Sequence, residues 1–157
     1  MSSRIEFLFG AEQFSLEAVR MAAEIYPIRL HPGQDLKKEL HHLVEAQGWS
    51  AAWVLGGIGS LRWAAIRYAD RDETTTLGGP LEIVSMQGTL SPDGAHLHLA
   101  VSDSYGEVKG GHLQEGSEIY TTAEVLIQVL PAWGFSREHD EETGCRELVV
   151  QRIFKGE

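Results

Sequence analysis

One stretch of this chain carries a long helical period, and nearly everything after it reads as strands joined by short turns. That pattern confines the chain to an α+β domain on a central, largely antiparallel sheet, with one main helix after the first strand. From about Asp35 to Gln47, Leu36, Leu40, Leu43 and Val44 fall on one face. Gly48 closes the segment, as glycine often does at a helix end. A strand precedes the helix over 25–31, where Pro27 points to an edge position, and Pro32-Gly33 breaks the chain between the two.

Downstream, Ala51 to Leu55 is an apolar run interrupted by Gly56-Gly57-Ile58-Gly59-Ser60, and Leu61 to Tyr68 reads as a second strand. Leu81 to Leu90 follows, introduced by Gly78-Gly79-Pro80 and closed by the turn Ser91-Pro92-Asp93-Gly94. Further strands are expected over Ile119 to Leu130 and Glu147 to Phe154. Residues 1–24 look different: Ser15 caps a short expected helix running to Glu24. They are set apart as an N-terminal extension, with 25–154 as a single domain.

The 157 residues suffice for one domain with a real core. No apolar run approaches the length of a bilayer span. No basic segment leads into an apolar core as in a secretory signal, so a cytoplasmic protein without membrane contact is expected. The net charge is −10, and the thirteen basic residues are scattered; Lys37 and Lys38, flanked by Asp35 and Glu39, form one adjacent pair. Phosphate neutralisation needs clustered lysine and arginine, so composition argues against nucleic acid as the main partner. Cys145 is the single cysteine. It follows an acidic turn that disfavours a thiolate and reads as structural.

The chemistry concentrates in Gly94-Ala95-His96-Leu97-His98-Leu99-Ala100-Val101 and Gly110-Gly111-His112. Apolar–polar alternation marks a strand on which His96 and His98 project to one face. His112 lies beyond a turn and can return to the same place. Three neutral imidazoles can hold a divalent metal, zinc first among them, with a position left for water or a small ligand. On spacing alone, solvated histidines on an exposed strand remain the alternative.

Glu124 interrupts an apolar strand and is the candidate base or orienting group of a metal-dependent enzyme of unknown substrate. A plain exposed strand position is its other reading. The glycine cluster at 56–60 lacks the lysine and the following helix of a phosphate loop. A bulge or a close backbone approach explains it better.

The order of Ile28-Arg29-Leu30-His31-Pro32-Gly33, Gly59-Ser60-Leu61, Gly79-Pro80-Leu81-Glu82-Ile83, His96-Leu97-His98, Gly110-Gly111-His112-Leu113 and Tyr120-Thr121-Thr122-Ala123-Glu124-Val125 resembles the PPC family, the plants-and-prokaryotes conserved domain. The likeness covers about residues 25–150. It implies an α+β domain that assembles as a homotrimer and makes the histidine cluster a family feature. Bacterial stand-alone members are often labelled DNA-binding, and in plants the domain accompanies AT-hooks; no Arg-Gly-Arg core is present here. Three functions follow as expectations. The first is a trimeric binding module connected with transcription and holding a metal at His96, His98 and His112. The others are a metal-dependent enzyme and direct DNA binding.

Overall fold

Asp35 starts the helix. Its Oδ1 accepts from the backbone N–H groups of Lys37 and Lys38 at 3.0 and 3.1 Å, and its Oδ2 accepts from Gly116 N at 2.6 Å. Two otherwise unpaired helix donors are thereby satisfied, and the first turn is tied to a distant loop. The helix, α1 (Leu36–Gln47), ends at Gly48 in the left-handed conformation, with φ 64°. Leu36, Leu40 and Val44 form its buried stripe, as the period predicts. Full burial of each such side chain stabilises the fold by about 1.5–3 kcal/mol.

The computed structural model describes residues 23–153. Around α1 lie eight strands: β1 (Glu24–Leu30), β2 (Ala52–Arg67), β3 (Thr74–Ser91), β4 (Gly94–Ser102), β5 (Val108–Leu113), β6 (Ile119–Val129), β7 (Trp133–His139) and β8 (Arg146–Arg152). The first six strands form one sheet in the order β1-β6-β2-β3-β4-β5, and every pairing among them is antiparallel. The fold is thus sheet-dominated, with one helix among the described residues. β5 also pairs back onto β2 through Ile66↔Leu113 and Arg67↔His112. Strands β2, β3, β4 and β5 therefore close into a ring, while β6 and β1 extend as a wing from the first half of β2. The β7–β8 hairpin is a separate two-stranded sheet.

Several sequence expectations are corrected. The glycine cluster at 56–60 does not divide two strands: β2 runs through it for 16 residues, with register shifts between Val54 and Gly56 and between Gly59 and Leu61. The expected bulge is there, held within a continuous strand by pairing to β6. At Gly59 (φ 143°) any Cβ would collide with the Thr122 carbonyl, so glycine is required for β6 to approach. β3 begins at Thr74 instead of Leu81 and passes through Gly78-Gly79-Pro80 without breaking. β7 went unforeseen. The expected helix from Ser15 lies outside the described residues, except that its last residues run into β1.

Candidate metal centre

His96 and His98 lie on β4, and both project to one side because residues two apart share a face. His112 on β5 is the direct cross-strand partner of His98. The ring centroids are 5.4 Å (His96–His98), 5.1 Å (His96–His112) and 4.4 Å (His98–His112) apart. One ring nitrogen from each residue lies within 4.8 Å of the other two. His96 Nε2 and His112 Nδ1 approach to 3.1 Å. Two imidazole nitrogens on one tetrahedral zinc, each at 2.0–2.1 Å from it, stand about 3.3 Å apart. That pair stands near this separation, and a ring nitrogen of His98 lies within 4.8 Å of both. The donor set fits a divalent ion of the zinc type.

Gly111 makes this convergence possible. A Cβ there would meet the Arg67 carbonyl oxygen at 2.6 Å and Ile66 Cγ2 at 2.8 Å, so only a bare backbone lets β5 lie against β2. His112, the next residue, is thereby carried beside β4.

The electrostatics favour the ligating form. His96 is pushed from 6.5 down to about 4, first by burial, then by the charge of Arg137, the neighbouring histidines and Lys37. His112 is lowered by burial, then by Arg67, His98 and Lys37. Both rings are therefore neutral at neutral pH, as metal binding requires. His98 is exposed, so the cluster opens to solvent on that side.

Glu124 lies elsewhere. It is an exposed residue of β6, paired in register with Arg29 and Ile58. It lies with Arg29, Gly57, Ile58 and Leu126 in a shallow, open depression on the wing formed by β1, β6 and β2. Within one chain it does not join the histidines. Cys145 is exposed in the β7–β8 turn.

The profile of the Plants and Prokaryotes Conserved (PCC) domain, the PPC family, matches residues 18–131. The chain belongs to this family. Among solved structures, this PPC protein is similar to a hypothetical protein from Salmonella enterica, at 44% identity and TM-score 0.82, covering 84% of this chain and 96% of that one. It is also similar to a metal-containing protein from Archaeoglobus fulgidus, at 32% identity and TM-score 0.71, covering 82% and 94%. A bifunctional GlmU protein from a Synechococcus species is 48% identical over 130 residues, which is 83% of this chain and 21% of the relative. The chain thus spans about a fifth of the length of the curated relatives it matches.

Sequence reasoning missed the cations around the histidines. Lys37 sits half-buried in the first turn of α1. Arg67 faces His112 across the β2–β5 pair. Arg137 comes from β7, past the stretch matched by the family profile, and its Nη2 donates to Thr89 Oγ1 at 2.8 Å. Thr89 is in turn the cross-strand partner of His96. The signal for Lys37 was its place two residues after the capping Asp35. Arg67 and Arg137 reach the cluster through long-range pairings that no local pattern announces.

Proposed function

We propose that this PPC protein is a homotrimeric binding module with a divalent-metal site formed by His96, His98 and His112. Three imidazole donors suit zinc best, and an ion held by them would have a position left for a small ligand. The observation that carries the reading is the meeting of three imidazole nitrogens within 4.8 Å on two paired strands. Support comes from the lowered affinity of His96 and His112 for protons, and from the likeness to a protein described as metal-containing. Bound there, the ion would supply a Lewis-acidic position, and the chain would supply the three imidazole donors.

Trimer formation is supported by the wing. Ile58 (62% exposed), Trp53, Leu55, Leu126 and Ile25 present apolar side chains on the outer side of β1, β6 and β2, a surface suited to subunit contact. The GlmU name belongs to proteins about four times as long as this chain, 130 residues being 21% of one of them, and no catalytic activity is taken from it. No helix among the described residues is long and apolar enough to cross a membrane. Direct DNA binding fits poorly with a net charge of −10.

Elemental analysis of untagged protein after equilibration with zinc and removal of free ion tests the site. Near one zinc per chain is expected for the wild type and for His139→Ala, and a large loss for His98→Ala. Equal metal in wild type and His98→Ala would refute it.

A further inference from the structure

In a chain that is acidic overall, three cations that make no ion pair among the described residues gather at one place. Among the described residues Lys37, Arg67 and Arg137 make no ion pair, whereas Lys38 is paired with Glu115 at 3.4 Å, Arg62 with Glu118 at 3.1 Å and Arg146 with Asp93 at 3.7 Å. Each of the three is fixed near the histidines by the fold. Lys37 rides on a helix turn anchored by Asp35 to Gly116 and by Leu36 N–H to the Ser117 carbonyl at 2.9 Å. Arg67 lies in register with His112 and donates Nη1 to the Arg71 carbonyl at 3.1 Å, its one side-chain hydrogen bond among the described residues. Arg137 is held by Thr89 Oγ1, and its own N–H is held by Asp93 at 2.8 Å. Arg67 pairs in register with His112, and Arg137 is bonded to Thr89, the cross-strand partner of His96; the positive charge of Lys37 is felt by both rings. Asp35 and Glu115 face Lys37 and temper its charge.

Such an arrangement is unfavourable for a metal ion alone, because each positive group repels a dication in a partly desolvated setting. It becomes favourable when an anion completes the site. We propose that the histidine centre takes a small oxyanion, a phosphate or carboxylate group, held by Lys37, Arg67 and Arg137 beside the open metal position. This deepens the metal reading and rests on it. The two arginines offer planar forks matched to an oxyanion, and Lys37 offers a point charge. Arg137 gives the β7–β8 hairpin a role: it brings one wall of the anion site from outside the stretch matched by the family profile.

The test uses the zinc-loaded full chain at constant ionic strength, titrated calorimetrically with inorganic phosphate and, separately, with acetate. Cobalt(II)-loaded protein gives a visible spectrum that reports entry of the anion into the metal's coordination shell. Saturable binding of at least one anion is expected, with the preferred one identifying phosphate or carboxylate as the group recognised. Lys37→Gln and Arg137→Gln should each weaken that anion at least about tenfold, as expected when a charge-assisted bond is removed. Lys38→Gln should not. A second readout has the opposite sign: without phosphate or acetate, both variants should bind zinc more tightly than wild type, since a repelling charge is gone. A merely structural role for these residues would weaken zinc binding. If wild type holds zinc but neither anion binds, or the variants bind it as wild type does, the anion site is refuted and the metal site stands. If wild type holds no zinc, both fall.

Discussion

Replacing Gly111 by alanine puts a methyl group where two strands touch. Its Cβ would stand 2.6 Å from the Arg67 carbonyl oxygen and 2.8 Å from Ile66 Cγ2. An ordinary carbon–oxygen approach is about 3.3 Å, so β5 must retreat from β2 by about 0.7 Å. Backbone cannot swing aside as a side-chain end can, and overpacking of this kind destabilises by about 1–3 kcal/mol. The alanine also restricts the unfolded chain, which offsets about 0.4–1 kcal/mol. A net loss of about 1–2 kcal/mol is expected from urea unfolding of the metal-free chain. The consequence for the site is larger than for the fold. His112 follows directly and is carried with β5, whereas metal–ligand distances tolerate only about 0.2 Å. Zinc affinity should therefore fall at least about tenfold, as it does when the support of a ligand is lost. Gly78→Ala is the control, because a Cβ there meets nothing within 4 Å, and it should leave stability and zinc binding unchanged. Gly111→Ala protein with undiminished stability and wild-type zinc affinity would refute the claim that this glycine sets the cluster.

In the metal-free chain His96 sits at about 4 in the fold against 6.5, so as pH falls through that window the unfolded chain binds a proton that the folded chain refuses, and stability drops with pH. The full gap corresponds to about 3 kcal/mol, which solvent screening of a half-exposed ring reduces to roughly 1 kcal/mol. Urea midpoints at pH 7.5 and 4.5 should therefore differ less for His96→Gln than for wild type, and equal differences would contradict this account. Ile58→Asp places a charge on the outer apolar wing and, if the proposed trimer forms through that face, should reduce the mass in light scattering to that of a monomer, with the circular dichroism of the fold retained; a trimeric mass unchanged by the substitution would place the subunit contact elsewhere, and a monomeric wild type would refute the trimer. Asp35→Ala removes acceptors from three backbone N–H groups and should destabilise by about 1–3 kcal/mol in thermal unfolding. An unchanged midpoint would show that water replaces the cap.

The helix was legible because Leu36, Leu40, Leu43 and Val44 repeat at helical spacing and Gly48 can turn left-handed at its end; the capping role of Asp35 emerged only with the fold. The His96–His98 pair was legible from the two-residue period of β4. His112 could be named as the third member but not placed, since its position depends on the β4–β5 pairing and on the close approach at Gly111. The glycines of β2 were legible as a bulge or a close approach, which Thr122 on β6 makes at Gly59, but a glycine run does not show locally that the strand continues through it. Glu124 shows a similar limit. It stood out as a carboxylate interrupting an apolar strand, with a metal-side role and a plain exposed position both open, and nothing local says that β6 lies on the wing instead of beside β4.

The pairing partners of β2 also order the assembly of the chain. β3, β4 and β5 follow β2 directly, so residues 52–113 contain everything needed to close the ring and gather the three histidines. The wing waits for β6, whose Val129 pairs with both Ala52 and Glu24. Contacts distant in sequence form late because the intervening loop must first be closed. During synthesis the ring can therefore form while β1 still lacks a neighbour and one flank of β2 is bare. The last strand to arrive covers that flank, so a chain stalled before residue 119 would have a formed ring beside an open, aggregation-prone edge.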